Sequence, residues 1–167
     1  TGTFTPSTST VKYTGTLATN VTAATYNNLI LDKAGTTFTL SGNATVEKDL
    51  AITTGTLALG ANTLTVCRDI TINGALNGGT GKVKIDDASV VTHVIGTIFN
   101  DLEITTPGKE VQFTAGDTET INGNVTITGA AGAGNLITLR SITDGAQWSI
   151  DPKGTINISY VDVKDSR

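Results

Sequence analysis

Sulfur is almost absent from this sequence, whose 167 residues include one cysteine and no methionine. A lone thiol closes no internal disulfide, so the fold must be held by packing, and Cys67 reads as a structural thiol. Histidine is equally scarce. Any His-dependent triad would rest on His93, and no serine or cysteine stands in a motif that marks a nucleophile, so His93 reads as a loop or packing residue. Aromatic content is 5%, with Trp148 the sole tryptophan, which is thin material for a sugar-binding groove. No apolar run approaches the ~20 residues of a spanning helix, and no charged-then-apolar signal stands at Thr1, so membrane insertion is not expected. Lys plus Arg number 11 against 15 for Asp plus Glu, without a basic cluster, and the net charge of -4 argues against a sequence-independent hold on nucleic acid.

What the chain has instead is threonine, its commonest residue, and 19 glycines: β-branched side chains suit pleated strands, and glycine supplies the turns between them. From Thr36 to Leu76, apolar residues come in pairs two apart, Phe38/Leu40, Leu50/Ile52, Leu57/Leu59, Leu64/Val66 and Ile70/Ile72, separated by Gly, Asn and Asp. That spacing predicts short strands with one buried face. The pairs recur at a longer period too: Leu29 to Leu50 is 21 positions, Leu50 to Ile70 is 20 and Phe38 to Leu57 is 19. A period near 20 in three interleaved series predicts an all-β, right-handed parallel β-helix, a solenoid of about six three-faced coils with no helix.

Laid on three faces, the first coil is expected to hold Phe4, then Val11/Tyr13, then Leu29/Leu31, and the fourth Leu76, Val83/Ile85 and Leu102/Ile104. The last, less regular coil runs through Ile137/Leu139, Trp148/Ile150, Ile156/Ile158 and on to Val161/Val163. On this reading Thr14 to Thr25 and Asp86 to Ile98 are long insertions, either binding loops or second-layer strands. Val11-Lys12-Tyr13 matches Val83-Lys84-Ile85 at 72 positions, and Tyr26 to Leu31 matches Phe99 to Ile104 at 73. The expectation is one solenoid domain over 1–167, formed by an internal duplication of about 1–73 and 74–140 plus the final coil.

The stretch Gly55 to Leu76, GTLALGANTLTVCRDITINGAL, resembles the Gly-Thr-Leu-x-Leu-Gly-x-Asn-Thr-Leu-Thr-Val coils of large secreted and cell-surface parallel β-helix proteins of bacteria and archaea, among them adhesins of the filamentous haemagglutinin type. Phe99 to Ile104 and the tail from Gln147 to Val163 are similar to segments of the same proteins. The resemblance implies an extracellular or cell-surface place and a structural or adhesive role, with cell-surface or glycan ligands for an adhesin. It supplies no catalytic residue and no cofactor.

Side chains grouped for chemistry are few. Asp49 and Asp69 lie one coil apart, as do Lys48 and Arg68, an acid-base ladder that reads as a solvated turn rather than a pair of tuned carboxylates. Asp86-Asp87 offers oxygen ligands to a hard cation, but the Gly-Gly-x-Gly-x-Asp calcium repeat is absent and no metal is assigned. Outward threonines form no continuous rank, since Thr63/Thr65 is followed by Lys82/Lys84, which argues against an ice-binding face. Four sequons, at Asn20, Asn43, Asn124 and Asn157, permit glycosylation.

The ends carry the functional expectation. A β-helix end exposes a ring of unpaired backbone groups and a section of core, and neither end of this sequence shows a capping helix. The expected function is a non-enzymatic structural subunit of an extracellular filament or surface fibre. It polymerises head-to-tail through Phe4, Val11, Tyr13, Leu29 and Leu31 at one end and Trp148, Ile150, Ile156, Ile158, Tyr160, Val161 and Val163 at the other. A segment of a larger adhesin, or a carbohydrate-binding or carbohydrate-processing β-helix protein, is the alternative.

Overall fold

The computed structural model describes residues 7–96 and 98–167. The first coil contributes β1 (Thr10–Tyr13), β2 (Thr19–Val21) and β3 (Thr25–Tyr26), one strand to each of three faces. In the second and third coils the first two faces are crossed by one long bent strand, β4 (Asn28–Leu40) and β6 (Leu50–Ala58), and the third face by β5 (Ala44–Val46) and β7 (Thr63–Val66). Three separate strands resume in the fourth coil, β8 (Ile70–Ile72), β9 (Ala75–Asn77) and β10 (Lys82–Ile85), and in the fifth, β11 (Thr92–Ile95), β12 (Ile98–Phe99) and β13 (Asp101–Ile104). The sixth has β14 (Glu110–Phe113), β15 (Thr118–Ile121) and β16 (Val125–Thr128), the seventh β17 (Ile137–Ser141), β18 (Ser149–Pro152) and β19 (Ile156–Ser159). Finally β20 (Val161–Val163) opens an eighth turn on the first face.

Every strand pairing is parallel, each strand bonding to its counterpart one coil away. A parallel pair needs a long return connection, and here the other two faces of the coil provide it. The result is a right-handed parallel β-helix, with eight strands on its first face and a rod of roughly 34 Å at ~4.8 Å per coil. Sharp corners need residues that tolerate positive φ. Gly55 turns the third coil at φ 84°, and a Cβ there would stand 2.5 Å from the Lys33 carbonyl oxygen, so no other residue fits without a shift.

Like stacks on like inside the rod. On the third face Tyr26, Val46, Val66, Ile85, Ile104 and Ile127 form one column, each fully buried, and Leu64, Val83, Leu102 and Val125 form the column beside it. On the first face Leu29, Leu50, Ile70, Val94 and Phe113 do the same.

The coil count and the layout of two coils differ from the sequence expectation. Val11 and Tyr13 pair with Leu29 and Leu31 on the first face, and Val83 and Ile85 pair with Leu102 and Ile104 on the third, so each expected set straddles two coils and the rod has seven coils plus β20 rather than six. The two supposed insertions are themselves coil: Thr14 to Thr25 contains β2, and Asp86 to Ile98 contains β11. Strands such as Thr-Asn-Val bury one residue each, here Val21, too little for an apolar-pair pattern to register. The segments matched at 72 and 73 positions sit on different faces, β1 on the first and β10 on the third, so that offset advances the chain by two faces beyond a whole number of coils.

Candidate functional site

The buried columns end abruptly at the C-terminal coil. Ile156 continues the column of Val125 and Ile158 that of Ile127, yet they are 55% and 43% exposed, where their stacked partners are at or near zero. Tyr160, in the corner at φ 52°, is 54% exposed, and Val163, stacked on Leu139, is 43% exposed. Among the described residues β19 pairs only with β16 and β20 only with β17, so there their outer edges present free backbone donors and acceptors. Ile150 and Val161 are half-buried at the margin of this surface. Trp148 is not part of it: the ring is buried, stacked on Phe113 at 4.5 Å, and its Nε1–H donates to the Lys164 carbonyl while residues 164–167 continue the coil in parallel beside it. The chain beyond Val163 therefore covers the indole and leaves the isoleucines open.

The opposite end is finished differently. Val11 and Tyr13 are half-buried, while Leu29 and Leu31 lie fully buried under β1, so an end surface there draws on the first pair and not the second. Phe4 lies outside the described residues. The Tyr13 and Tyr26 hydroxyls meet at 3.0 Å, Tyr26 donates to the Thr22 carbonyl at 2.7 Å, and the Thr22 N–H donates to Tyr13 at 3.2 Å. Burial, with the Tyr13 bond, holds the Tyr26 phenol well above its usual range. Among the described residues β1 pairs with β4 alone.

The candidate chemical groups are engaged in cross-coil pairs. Arg68 reaches back one coil to grip both oxygens of Asp49, which holds that carboxyl below the usual carboxylate range. Asp69 reaches forward one coil and accepts from the His93 backbone N–H, with His93 Nδ1 at 2.9 Å. The Arg68–Asp49 pair, but not Asp69 or His93, borders a concavity of about 480 Å³ on the first face, lined also by Thr10, Asn28, Ile30, Lys48 and Ala51. Lys84 and the Thr106 hydroxyl hold Asp86 down at about 2, while Asp87 accepts from the Ser89 hydroxyl and N–H. Burial pushes the Cys67 thiol up, in keeping with a structural role. The asparagines of the four sequons, Asn20, Asn43, Asn124 and Asn157, are all exposed, and Asn43 Oδ1 accepts from the Thr63 N–H.

Two buried charges escaped the sequence reading. Lys109 is fully buried, and its ammonium donates to the carbonyls of Cys67 at 3.2 Å, Asp87 at 2.8 Å and Val90 at 2.8 Å, tying down the turn between β10 and β11. Glu119 is also fully buried, but neither carboxyl oxygen has a partner, and burial first, Asp117 second, pushes it up to about 8. Both positions were legible from strand parity. Lys109 precedes inward Val111 by two residues, and Glu119 precedes inward Ile121 by two.

Among the described residues the large unfinished surface is the C-terminal coil. Comparison with known proteins finds no matching family model, no matching curated protein and no matching solved structure.

Proposed function

We propose that this chain is a structural element of an extracellular filament or surface fibre, in which the C-terminal coil of one copy is covered by the first coil of the next. The observation that carries the reading is the third-face pair of columns, buried coil after coil and then exposed at Ile156 and Ile158. Fully burying an isoleucine is worth ~1.5–3 kcal/mol, so half-open Ile156, Ile158 and Val163 together favour a cover by a few kcal/mol. Free parallel edges beside them add main-chain hydrogen bonds to the same partner. A parallel cover repeats the coil stacking already inside the rod, and because the joined surfaces differ, the contact is heterologous and extends without closing. The resemblance of Gly55 to Leu76 to coils of secreted β-helix proteins points to the cell surface as the setting.

Sedimentation velocity over a concentration series tests this, comparing the chain as it stands with Ile158→Lys. Concentration-dependent growth abolished by the substitution supports the filament. A single monomer boundary at every concentration for both forms overturns it and leaves the exposed coil to a further coil of a longer rod.

A further inference from the structure

Three Asn-Gly pairs occur in the chain, Asn73-Gly74, Asn77-Gly78 and Asn122-Gly123. Glycine leaves the backbone nitrogen after an asparagine unshielded, so each pair can close a five-membered ring by attack of that nitrogen on the side-chain Cγ. All three asparagines are exposed, and access to water does not separate them. Their backbones do. The Gly74 N–H donates to the Ile52 carbonyl at 2.8 Å and the Gly123 N–H to the Asn100 carbonyl at 2.9 Å, which ties each attacking nitrogen to the preceding coil. At Asn77 it is the carbonyl that is tied back, accepting from the Leu59 N–H at 2.9 Å, and the trans peptide turns the Gly78 N–H the opposite way, toward the following coil. There β12 forms no ladder with β9, and among the described residues the Gly78 N–H has no hydrogen-bond partner.

We propose that Asn77 is a site of spontaneous deamidation in the folded chain, converting to isoaspartate and aspartate. Two hydrogen bonds favour the step. The Leu59 N–H on the Asn77 carbonyl stabilises the negative charge left on that peptide when the Gly78 N–H gives its proton to hydroxide. The Gly79 N–H, 3.1 Å from Asn77 Oδ1, donates to the oxygen that turns into an oxyanion as the bond from Gly78 N to Asn77 Cγ forms. The tetrahedral centre then collapses: the Cγ–Nδ2 bond breaks, Nδ2 takes a proton from water and leaves as ammonia, and a succinimide remains. Water opens that ring at Cγ to give aspartate or at the main-chain carbonyl to give isoaspartate, so no oxidant, reductant or cofactor enters. A concavity of about 250 Å³, bordered by Asn77, Gly78, Gly79, Asn100 and Asn122, gives water and ammonia room. Either product adds one negative charge at the corner between the second and third faces.

Prolonged incubation at neutral pH followed by peptide mapping is the test, run on the folded chain and in parallel on the chain held unfolded in urea. Fragment ions locate the amide-to-acid mass gain at each asparagine, electron-transfer fragmentation distinguishes isoaspartate from aspartate, and circular dichroism verifies that the first sample stays folded. In the folded chain Asn77 should react at least about tenfold faster than Asn73 or Asn122, because theirs must first break a backbone hydrogen bond. In urea the three rates should converge to within a few-fold, since all three have the same following residue. Equal rates at the three sites in the folded chain, or no reaction at Asn77 there, would overturn the proposal. A lead for Asn77 that persists undiminished in urea would overturn it as well, by assigning the preference to local sequence rather than to the unladdered corner.

Discussion

Glu119 gives the structure an unusual pH dependence. Its carboxyl sits inside the rod on β15, opposite Ile150 of β18, fully buried and without a hydrogen-bond partner. Ionising it there is costly, and the carboxyl is raised from 4.5 to about 8. Between those values the folded chain keeps a proton that the unfolded chain has released, so the folded state binds more protons and stability falls as pH rises. The slope is about -1.4 kcal/mol per pH unit, and the whole window is worth on the order of 5 kcal/mol, nothing of it lost below about pH 4.5 and all of it lost above about pH 8. Glu119→Gln removes the titration and keeps the shape. In denaturant unfolding between about pH 5 and about pH 8, followed by circular dichroism and Trp148 fluorescence together, the unaltered chain should lose roughly 4 kcal/mol more than the variant. Parallel pH profiles for the two would refute the placement of a protonated acid in the core.

Asp86 acts with the opposite sign in a separate window: held at about 2 by Lys84 and Thr106, its contribution is present above about pH 4 and lost below it, and Asp86→Asn should flatten that acid limb in an unfolding series. Replacing Lys109 with Met strips the donor from three carbonyls. The expected loss is about 3 kcal/mol, together with faster amide exchange over residues 87–91, read by hydrogen-exchange mass spectrometry. Trp148→Ala empties the stack on Phe113 and should cost about 3–5 kcal/mol in a urea titration. Before substitution, the same indole should show the blue emission and weak quenching of a buried ring. Ile158→Lys, by contrast, lies on an open surface and should leave the unfolding midpoint within about 0.5 kcal/mol of the original while removing association.

The fold was readable because the core is made of apolar pairs at strand parity, and the coils from Phe38 to Ile72 were laid out in the order the structure shows. Reading failed where a coil buries a single residue on a face. Val21 on β2 stands alone between Asn20 and Thr22, so the first coil's second face offers no apolar pair, and in the sequence pattern that stretch of coil looks like an insertion. The same happened around β11, where Thr92 occupies an inward position that pattern reading reserves for apolar side chains. Lys109 and Glu119 were missed for a related reason: charged residues at inward parity look like surface until the strand's phase is carried through them. The end surface was half legible. Ile156, Ile158, Tyr160 and Val163 are open, but Trp148 is covered because residues 164–167 carry the coil on in parallel over it, and that polar stretch contains no apolar pair to mark a further strand.

Electron microscopy with fibre diffraction on the concentrated chain tests the central claim most directly. End-to-end stacking predicts unbranched threads with a ~4.8 Å reflection along the axis and a subunit repeat of roughly 34–38 Å, the rise of seven third-face to eight first-face strands per copy. Isolated short particles at every concentration, with no axial repeat, would contradict it.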